Sequence, residues 1–126
     1  MDTLKEVEAF LSSNPTEIVT LILEDYVKAP KGLTKLFKDA GLNKYWFPVS
    51  SMPKQGQAWP LVSDIVAKNQ RLLVFTSIKS KQQTEGIAYQ WNYMVENQCI
   101  KLQCFLVFLR YMFSCALYMF VKHMSF

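Results

Sequence analysis

Two long apolar runs rich in β-branched residues stand out in the pattern of hydrophobic and polar positions. The first run, Glu17–Tyr26, follows the turn signal Asn14-Pro15 and contains two adjacent acids near its end. The second run, Gln70–Ile78, is followed by a short basic stretch. An unbroken apolar run of this length is typical of a strand buried on both faces of a parallel sheet. The pattern therefore predicts two central strands of an α/β fold.

Segments with helical spacing surround these runs. Thr3-x-x-Glu6 can form a capping box, and the apolar positions after it fall on one helical stripe that ends at Asn14-Pro15. A second amphipathic helix ends at Gly41, which suits a C-terminal cap. The remaining predicted elements are a short strand at Lys44–Phe47, a loop over Pro48–Pro60 and a helix at Leu61–Lys68. This alternation predicts βαβ units with right-handed crossovers.

Length and charge narrow the classes of function. With 126 residues the chain is one domain or less, whereas a complete (β/α)8 barrel needs roughly 250 residues. The formal net charge is +4, and most of it lies in residues 99–126, which contain basic residues and no acid. Because the rest of the chain is nearly neutral, the composition does not indicate a nucleic-acid-binding surface. The acidic, amphipathic start does not resemble a secretory signal peptide.

The composition changes abruptly after Gln98. About three quarters of Cys99–Phe126 is apolar, and Leu102–Val121 has the length needed to cross a bilayer. Its single charge, Arg110, lies near the middle, where insertion costs about 2.5–3.5 kcal/mol, and the surrounding Leu, Phe and Val residues can offset that cost. We therefore predict an apolar C-terminal helix that either spans a membrane or has no natural partner. The three cysteines all lie in this tail and fit no zinc-binding spacing.

Charged residues past the two predicted strands are the candidate site, because parallel α/β proteins place their chemistry at the carboxyl ends of strands. Glu24 follows the first strand, and Lys79 and Lys81 follow the second. Each has a structural alternative: Glu24 can cap a loop or pair with a lysine, and the two lysines can form a solvated basic turn. Arg71 precedes the second strand, at the opposite edge, and is predicted to be structural.

Four segments carry a resemblance to a known family. They are EVEAFLSSNPTEIVTLILEDYV, GLTKLFKDAGLNKYWFPVSSMP, WPLVSDIVAKNQRLLVFTSIKSK and EGIAYQWNYMVENQ. Over Leu4–Gln98 the chain resembles plant PLC-like phosphodiesterases, which contain a phosphatidylinositol-specific phospholipase C X-type barrel. The resemblance implies that residues 1–98 are the central part of a TIM (β/α) barrel truncated at both ends. Residues 99–126 are then a foreign apolar tail.

The resemblance also implies an activity. The family hydrolyses phosphoric diesters in lipid metabolism, so the expected substrate is a phospholipid or another phosphodiester. The chemistry of the superfamily uses two histidines, one as general base and one as general acid. This chain has a single histidine, His123, which matches no family motif. We therefore predict no catalytic residue in this chain and no activity of the chain alone.

The same resemblance implies ligand roles for the candidate residues. Leu23-Glu24-Asp25 resembles the strand-end motif whose glutamate binds calcium in calcium-dependent phospholipases C, and calcium prefers oxygen ligands. Bacterial relatives instead carry a lysine near this position and need no metal. Glu24 is thus the predicted metal ligand. Calcium is expected in the complete barrel protein from which this chain would derive, and no cofactor is expected in this chain alone. Lys79 and Lys81 are predicted to hold substrate phosphate as point charges.

A non-catalytic function is the alternative. The chain is then a fragment attached to a membrane through Leu102–Val121, or an interaction module that uses the surface of the partial barrel. Membrane association is the expected localisation, and no nucleic-acid partner is expected.

Overall fold

Helices and strands alternate through most of the chain in a computed structural model, which describes residues 2–54, 56–95 and 117–121. The helices are α1 (Asp2–Ser13), α2 (Gly32–Asp39), α3 (Val62–Ala67) and α4 (Lys81–Thr84). The strands are β1 (Val19–Leu23), β2 (Leu72–Thr76), β3 (Ala88–Tyr89) and β4 (Leu117–Val121). Short 3-10 helices occupy Leu42–Tyr45, Val49–Ser51 and Gln90–Asn92.

The strands form one parallel sheet in the order β3-β2-β1-β4. In β1 and β2 the register runs from Val19 opposite Leu72 to Leu23 opposite Thr76. The predicted α/β class and the two central strands are therefore confirmed. The described residues form a four-stranded sheet and do not show the predicted TIM barrel.

One face of the sheet packs against α1 and α2, and we call it the helix face. Along β1, the alternating residues Val19, Leu21 and Leu23 are buried on this face. They belong to one cluster with Leu11 of α1 and Phe37 of α2. Full burial of a side chain of this size contributes about 1.5–3 kcal/mol. The apolar stripes predicted for the first two helices thus form the helix side of the core.

The opposite face of the sheet, which we call the second face, has a smaller core. Leu73 and Phe75 of β2 pack there with Phe47 and with Ile65 of α3, and Ile22 of β1 is partly buried against them. Because side chains alternate along a strand, the residues that follow Leu23 and Thr76 are also sorted between the two faces. This sorting decides which residues past the strands are accessible.

Arg71 joins the amino ends of β1 and β2 to the end of α1. Its guanidinium donates hydrogen bonds to the carbonyl oxygens of Leu11, Asn14 and Glu17 at 2.9, 2.8 and 3.1 Å. It also lies 4.8 Å from the centre of the Tyr45 ring, in cation–π geometry. These contacts satisfy carbonyl groups at the C-terminus of α1, which a helix leaves without internal partners. The predicted structural role of Arg71 is confirmed.

Two local elements differ from the prediction. Helix α1 begins at Asp2, so Thr3 lies inside the helix instead of at its cap. In the predicted strand Lys44–Phe47, the first two residues belong to a 3-10 helix and only Trp46 forms a bridge, with Leu72. The aromatic side chains of this segment pack into both cores, Tyr45 on the helix face and Phe47 on the second face.

The apolar tail also differs from the prediction where the structure describes it. Leu117–Val121 is a strand paired with β1, with Leu117 opposite Val19, so the last five residues of the predicted helix Leu102–Val121 are not helical. The β-branched and aromatic content of this segment also suits a strand. Residues 102–116 lie outside the described residues. Across the described ranges, no helix combines the length and apolar character that crossing a bilayer requires.

Candidate functional site

The candidate site lies at the edge of the sheet where β1 and β2 end. The two residues that follow Leu23 differ in burial. Glu24 is exposed, whereas Asp25 is buried, with 7% of its surface exposed. Asp25 continues the buried alternation of Val19, Leu21 and Leu23 on the helix face. Glu24 is therefore in phase with Ile22 and belongs to the second face. Two adjacent acids thus occupy different environments.

Asp25 is held by groups from β2, from the start of α4 and from the loop that follows β1. Its Oδ1 accepts the backbone N–H of Val27 at 2.8 Å, and its Oδ2 accepts the Thr76 hydroxyl at 3.3 Å. The same Oδ2 lies 2.6 Å from Nζ of Lys81. Because the Asp25 side chain is fully shielded from solvent, the ion pair replaces the hydration that the carboxylate loses.

Lys81 has three acceptors for its three N–H donors. Besides Asp25, its Nζ donates to the carbonyl oxygen of Val27 at 2.7 Å and lies 3.4 Å from Oε1 of Glu85. Glu85 in turn accepts the backbone N–H and the hydroxyl of Thr34, at 2.9 and 3.0 Å, which ties α2 to α4. We call Asp25, Lys81 and Glu85 the lysine clamp, because Lys81 joins the two carboxylates. Their formal charges add to −1.

The three predicted site residues are therefore not equivalent. Glu24 and Lys79 are exposed, and the ion pairs of the described residues involve neither of them. Lys81 is buried in the lysine clamp. The structure thus places Glu24 and Lys79 in the loops after neighbouring parallel strands, where both can meet a ligand. The phosphate-binding role of Lys79 and Lys81 and the ligand role of Glu24 stay predictions.

A calcium site is not formed by the described residues on their own. Calcium takes six to eight oxygen ligands, and no group of three or more His, Cys, Asp or Glu side chains within the described ranges could hold a metal ion. Glu24 supplies one exposed carboxylate, and Asp25 is engaged by Lys81. The calcium requirement of the longer protein stays a prediction, and His123 lies outside the described residues.

A cleft of about 300 Å³ lies behind the clamp, on the helix face. Its walls include Thr34 and Phe37 of α2, with Asn43, Trp46 and Glu85. Phe37 and Trp46 meet edge to face, with ring centres 5.2 Å apart. Neither Glu24 nor Lys79 lines this cleft, so it is not the candidate site.

Sequence reasoning missed Asp25 and Glu85 as partners of Lys81. The alternation along β1 was available in the sequence, and it would have placed Asp25 in phase with Leu21 and Leu23. The position of Lys81 had no such signal, because its partner Asp25 lies far away in the sequence, in the loop after β1. Glu85 lies four residues after Lys81, a spacing that allows ion pairs on one helix face.

Comparison with known proteins adds a family. The profile of the family described as PI-PLC X 1 matches residues 1–104. A PI-PLC X domain-containing protein of Arabidopsis thaliana is 65% identical over 98 residues, which are 78% of this chain and 23% of that protein. The chain thus spans about a quarter of the length of this curated relative. No solved structure matches the chain.

Proposed function

Because the chain belongs to the PI-PLC X domain family, we propose that it is the central part of a phospholipase C-like phosphodiesterase. The three strands β1, β2 and β3 are then part of a TIM-type barrel in the longer protein. In such barrels the active site lies at the carboxyl ends of the strands. Glu24 and Lys79 are the residues that this chain contributes to that edge.

One observation supports this proposal above the others. Two exposed side chains of opposite charge follow adjacent parallel strands, Glu24 after β1 and Lys79 after β2. A phosphodiester carries one negative charge, which an ammonium can bind as a point charge. A substrate that also carries hydroxyl groups can donate a hydrogen bond to a carboxylate. Lys79 therefore binds the phosphate, and Glu24 orients the attached alcohol.

The chain alone lacks the acid–base pair that the family resemblance implies. The resemblance calls for two histidines, and the sequence contains only His123. We therefore propose that the chain binds a phosphodiester weakly and does not hydrolyse it. Hydrolysis then requires histidines supplied by other parts of a longer protein.

A chimera tests both parts of the proposal. Residues 1–98 of this chain replace the matching segment of the Arabidopsis relative, and hydrolysis of phosphatidylinositol in vesicles is measured with and without calcium. We expect turnover by the chimera, at least a tenfold loss with Glu24→Gln or Lys79→Met, and no turnover by the 126-residue chain. Lys44→Met, an exposed lysine at the opposite edge, is the matched control. Absence of turnover by the chimera, whether or not the relative is active, would contradict the hydrolase proposal.

An apolar surface favours a second candidate, a non-catalytic module that binds a lipid surface. Trp59, Leu61 and Val62 are 43%, 69% and 63% exposed. These three apolar residues also lie close together in the sequence. The Trp59 ring is held against Phe47 and Tyr93, with centres 6.3 and 5.9 Å apart. Co-sedimentation of the chain with phosphatidylinositol vesicles should weaken on combined substitution of Leu61 and Val62 by serine. Equal sedimentation of the two proteins would exclude this surface.

A further inference from the structure

The two exposed candidates each lie next to residues that are fixed in place. Glu24 lies between Leu23, which is paired in the sheet, and Asp25, whose carboxylate is fully buried. Lys79 lies between Ile78 and the turn that leads to Lys81. The Ile78 N–H donates to the Thr76 hydroxyl at 3.1 Å, and the Lys81 N–H donates to the Ile78 carbonyl at the same distance. Both loops are therefore anchored on either side of the exposed residue.

The anchors of the two loops are parts of one network. Thr76 of β2 donates to Asp25 after β1, and Lys81 after β2 binds both Asp25 and the Val27 carbonyl. The Asp25 carboxylate also accepts the Val27 N–H. A displacement of either loop would thus break contacts in the other. Removing Lys81 would leave Asp25 and Glu85 buried without their common cation, which strongly destabilises their surroundings.

We propose that Lys81, acting through Asp25 and Glu85, is a positioning residue that fixes Glu24 and Lys79 relative to each other. This inference rests on the proposed function for the roles of Glu24 and Lys79. Charged groups that act on a substrate must be held close to their working geometry, and buried supporting contacts provide that precision. The lysine clamp supplies such contacts through side chains that are at most 10% exposed.

Amide hydrogen exchange of the full 126-residue chain tests the clamp without depending on activity. The N–H groups of Val27, Thr34 and Ile78 bond to Asp25, Glu85 and Thr76, and so report on the network. Lys81→Met should accelerate exchange of these amides at least tenfold more than exchange of the core amides of β1 and β2, because local opening exchanges amides independently of global unfolding. Lys44→Met should leave all of them unchanged.

Two further variants keep the test decisive if Lys81→Met fails to fold. Glu85→Gln retains the ion pair of Lys81 with Asp25 and should accelerate the Thr34 amide most. Adding Asp25→Asn to Lys81→Met removes one unpaired charge and should restore the fold without restoring the exchange rates at Val27. Uniform acceleration of sheet and loop amides in these variants, or no acceleration, would overturn the positioning role.

The chimera provides the functional readout. Lys81→Met should lower kcat/KM for phosphatidylinositol at least tenfold, with Lys44→Met within twofold of the parent chimera. Lys81→Arg, which keeps the charge, should recover part of this loss. Unchanged kcat/KM in an active Lys81→Met chimera would overturn the inference while leaving the proposed function intact. An inactive parent chimera would contradict the proposed function, and the exchange data would still decide whether the clamp holds the two loops.

Discussion

Arg71 provides the sharpest test of how the amino edge of the sheet is held. Arg71 is only 3% exposed. Its guanidinium donates hydrogen bonds to the carbonyl groups of Leu11, Asn14 and Glu17. Substitution by methionine keeps most of the side-chain volume and removes all of these donors. We expect Arg71→Met to be among the most destabilising substitutions at the amino edge.

The magnitude follows from the groups left behind. The Leu11 carbonyl bond to Arg71 is buried, and an orphaned buried acceptor costs about 1–3 kcal/mol. The bonds to Asn14 and Glu17 are only partly buried, so water can replace them in part at a smaller cost. Loss of the stacking on Tyr45 adds about 0.5–1 kcal/mol or more. Together these give roughly 2–5 kcal/mol, a large share of the 5–15 kcal/mol that stabilises a typical domain.

Urea denaturation followed by tryptophan fluorescence measures this loss. With a urea dependence of about 1.5 kcal/mol/M, the midpoint should fall by about 1–3 M. Arg71→Lys keeps the charge but lacks the planar fork that reaches several carbonyls, so its loss should be intermediate. Lys44→Met is the matched control, because the Lys44 ammonium also lies over the Tyr45 ring, at 4.9 Å, but is exposed and forms a surface ion pair with Glu8.

If Arg71→Met shifts the urea midpoint no more than Lys44→Met does, hydrogen bonding of Arg71 to backbone carbonyls does not explain the stability. The same conclusion holds if Arg71→Lys is as stable as the unchanged protein. A large effect of both Arg71→Met and Lys44→Met would instead assign the stability to the shared ring of Tyr45.

The remaining predictions concern packing and surface charge. Gly32→Ala should lower stability by about 1–3 kcal/mol, because the added Cβ would lie 2.6 Å from Cγ1 of Val27, and thermal unfolding monitored by circular dichroism would show it. Leu21→Ala in the core of β1 should cost about 2–5 kcal/mol in urea, whereas Leu61→Ser at an exposed site should stay within about 0.5 kcal/mol and raise the solubility limit. A hydrogen bond with Glu8 raises the pKa of Lys44, so any stabilisation by this pair is present at neutral pH and is lost as the pH rises through that raised pKa. The urea midpoints of Lys44→Met and the unchanged protein should therefore converge in strongly alkaline buffer, and a gap that persists there would contradict this assignment.

The main elements could be predicted from the sequence because their signals are local. The apolar runs that contain Val19–Leu23 and Leu72–Thr76 are long and β-branched, and the stripe of α1 recurs at helical spacing. The strand ends also pointed to Glu24, Lys79 and Lys81 as candidate site residues, of which the structure exposes the first two. Local pattern is sufficient for these features because burial on one or both faces leaves a periodic trace in the sequence.

The parts that could not be predicted depend on distant contacts. Helix α4 is only four residues long, KQQT, and has no apolar stripe, while β3 contains only two residues. The burial of Lys81 depends on Asp25, which lies far away in the sequence, in the loop after β1. A lysine in a polar stretch usually indicates a solvated turn, so the sequence pattern favoured the wrong environment for this side chain.

The separation of Glu24 from Asp25 has a consequence for how this protein can change. Replacing Asp25 removes contacts that hold both loops, so it can be tolerated only together with a change at Lys81. Replacing Glu24 alters a side chain that supports nothing else among the described residues. New ligand preferences can therefore arise at position 24 by single substitutions. Position 25, in contrast, can change only when Lys81 changes with it. A library that randomises both positions should recover folded proteins with diverse residues at 24 and an almost fixed residue at 25.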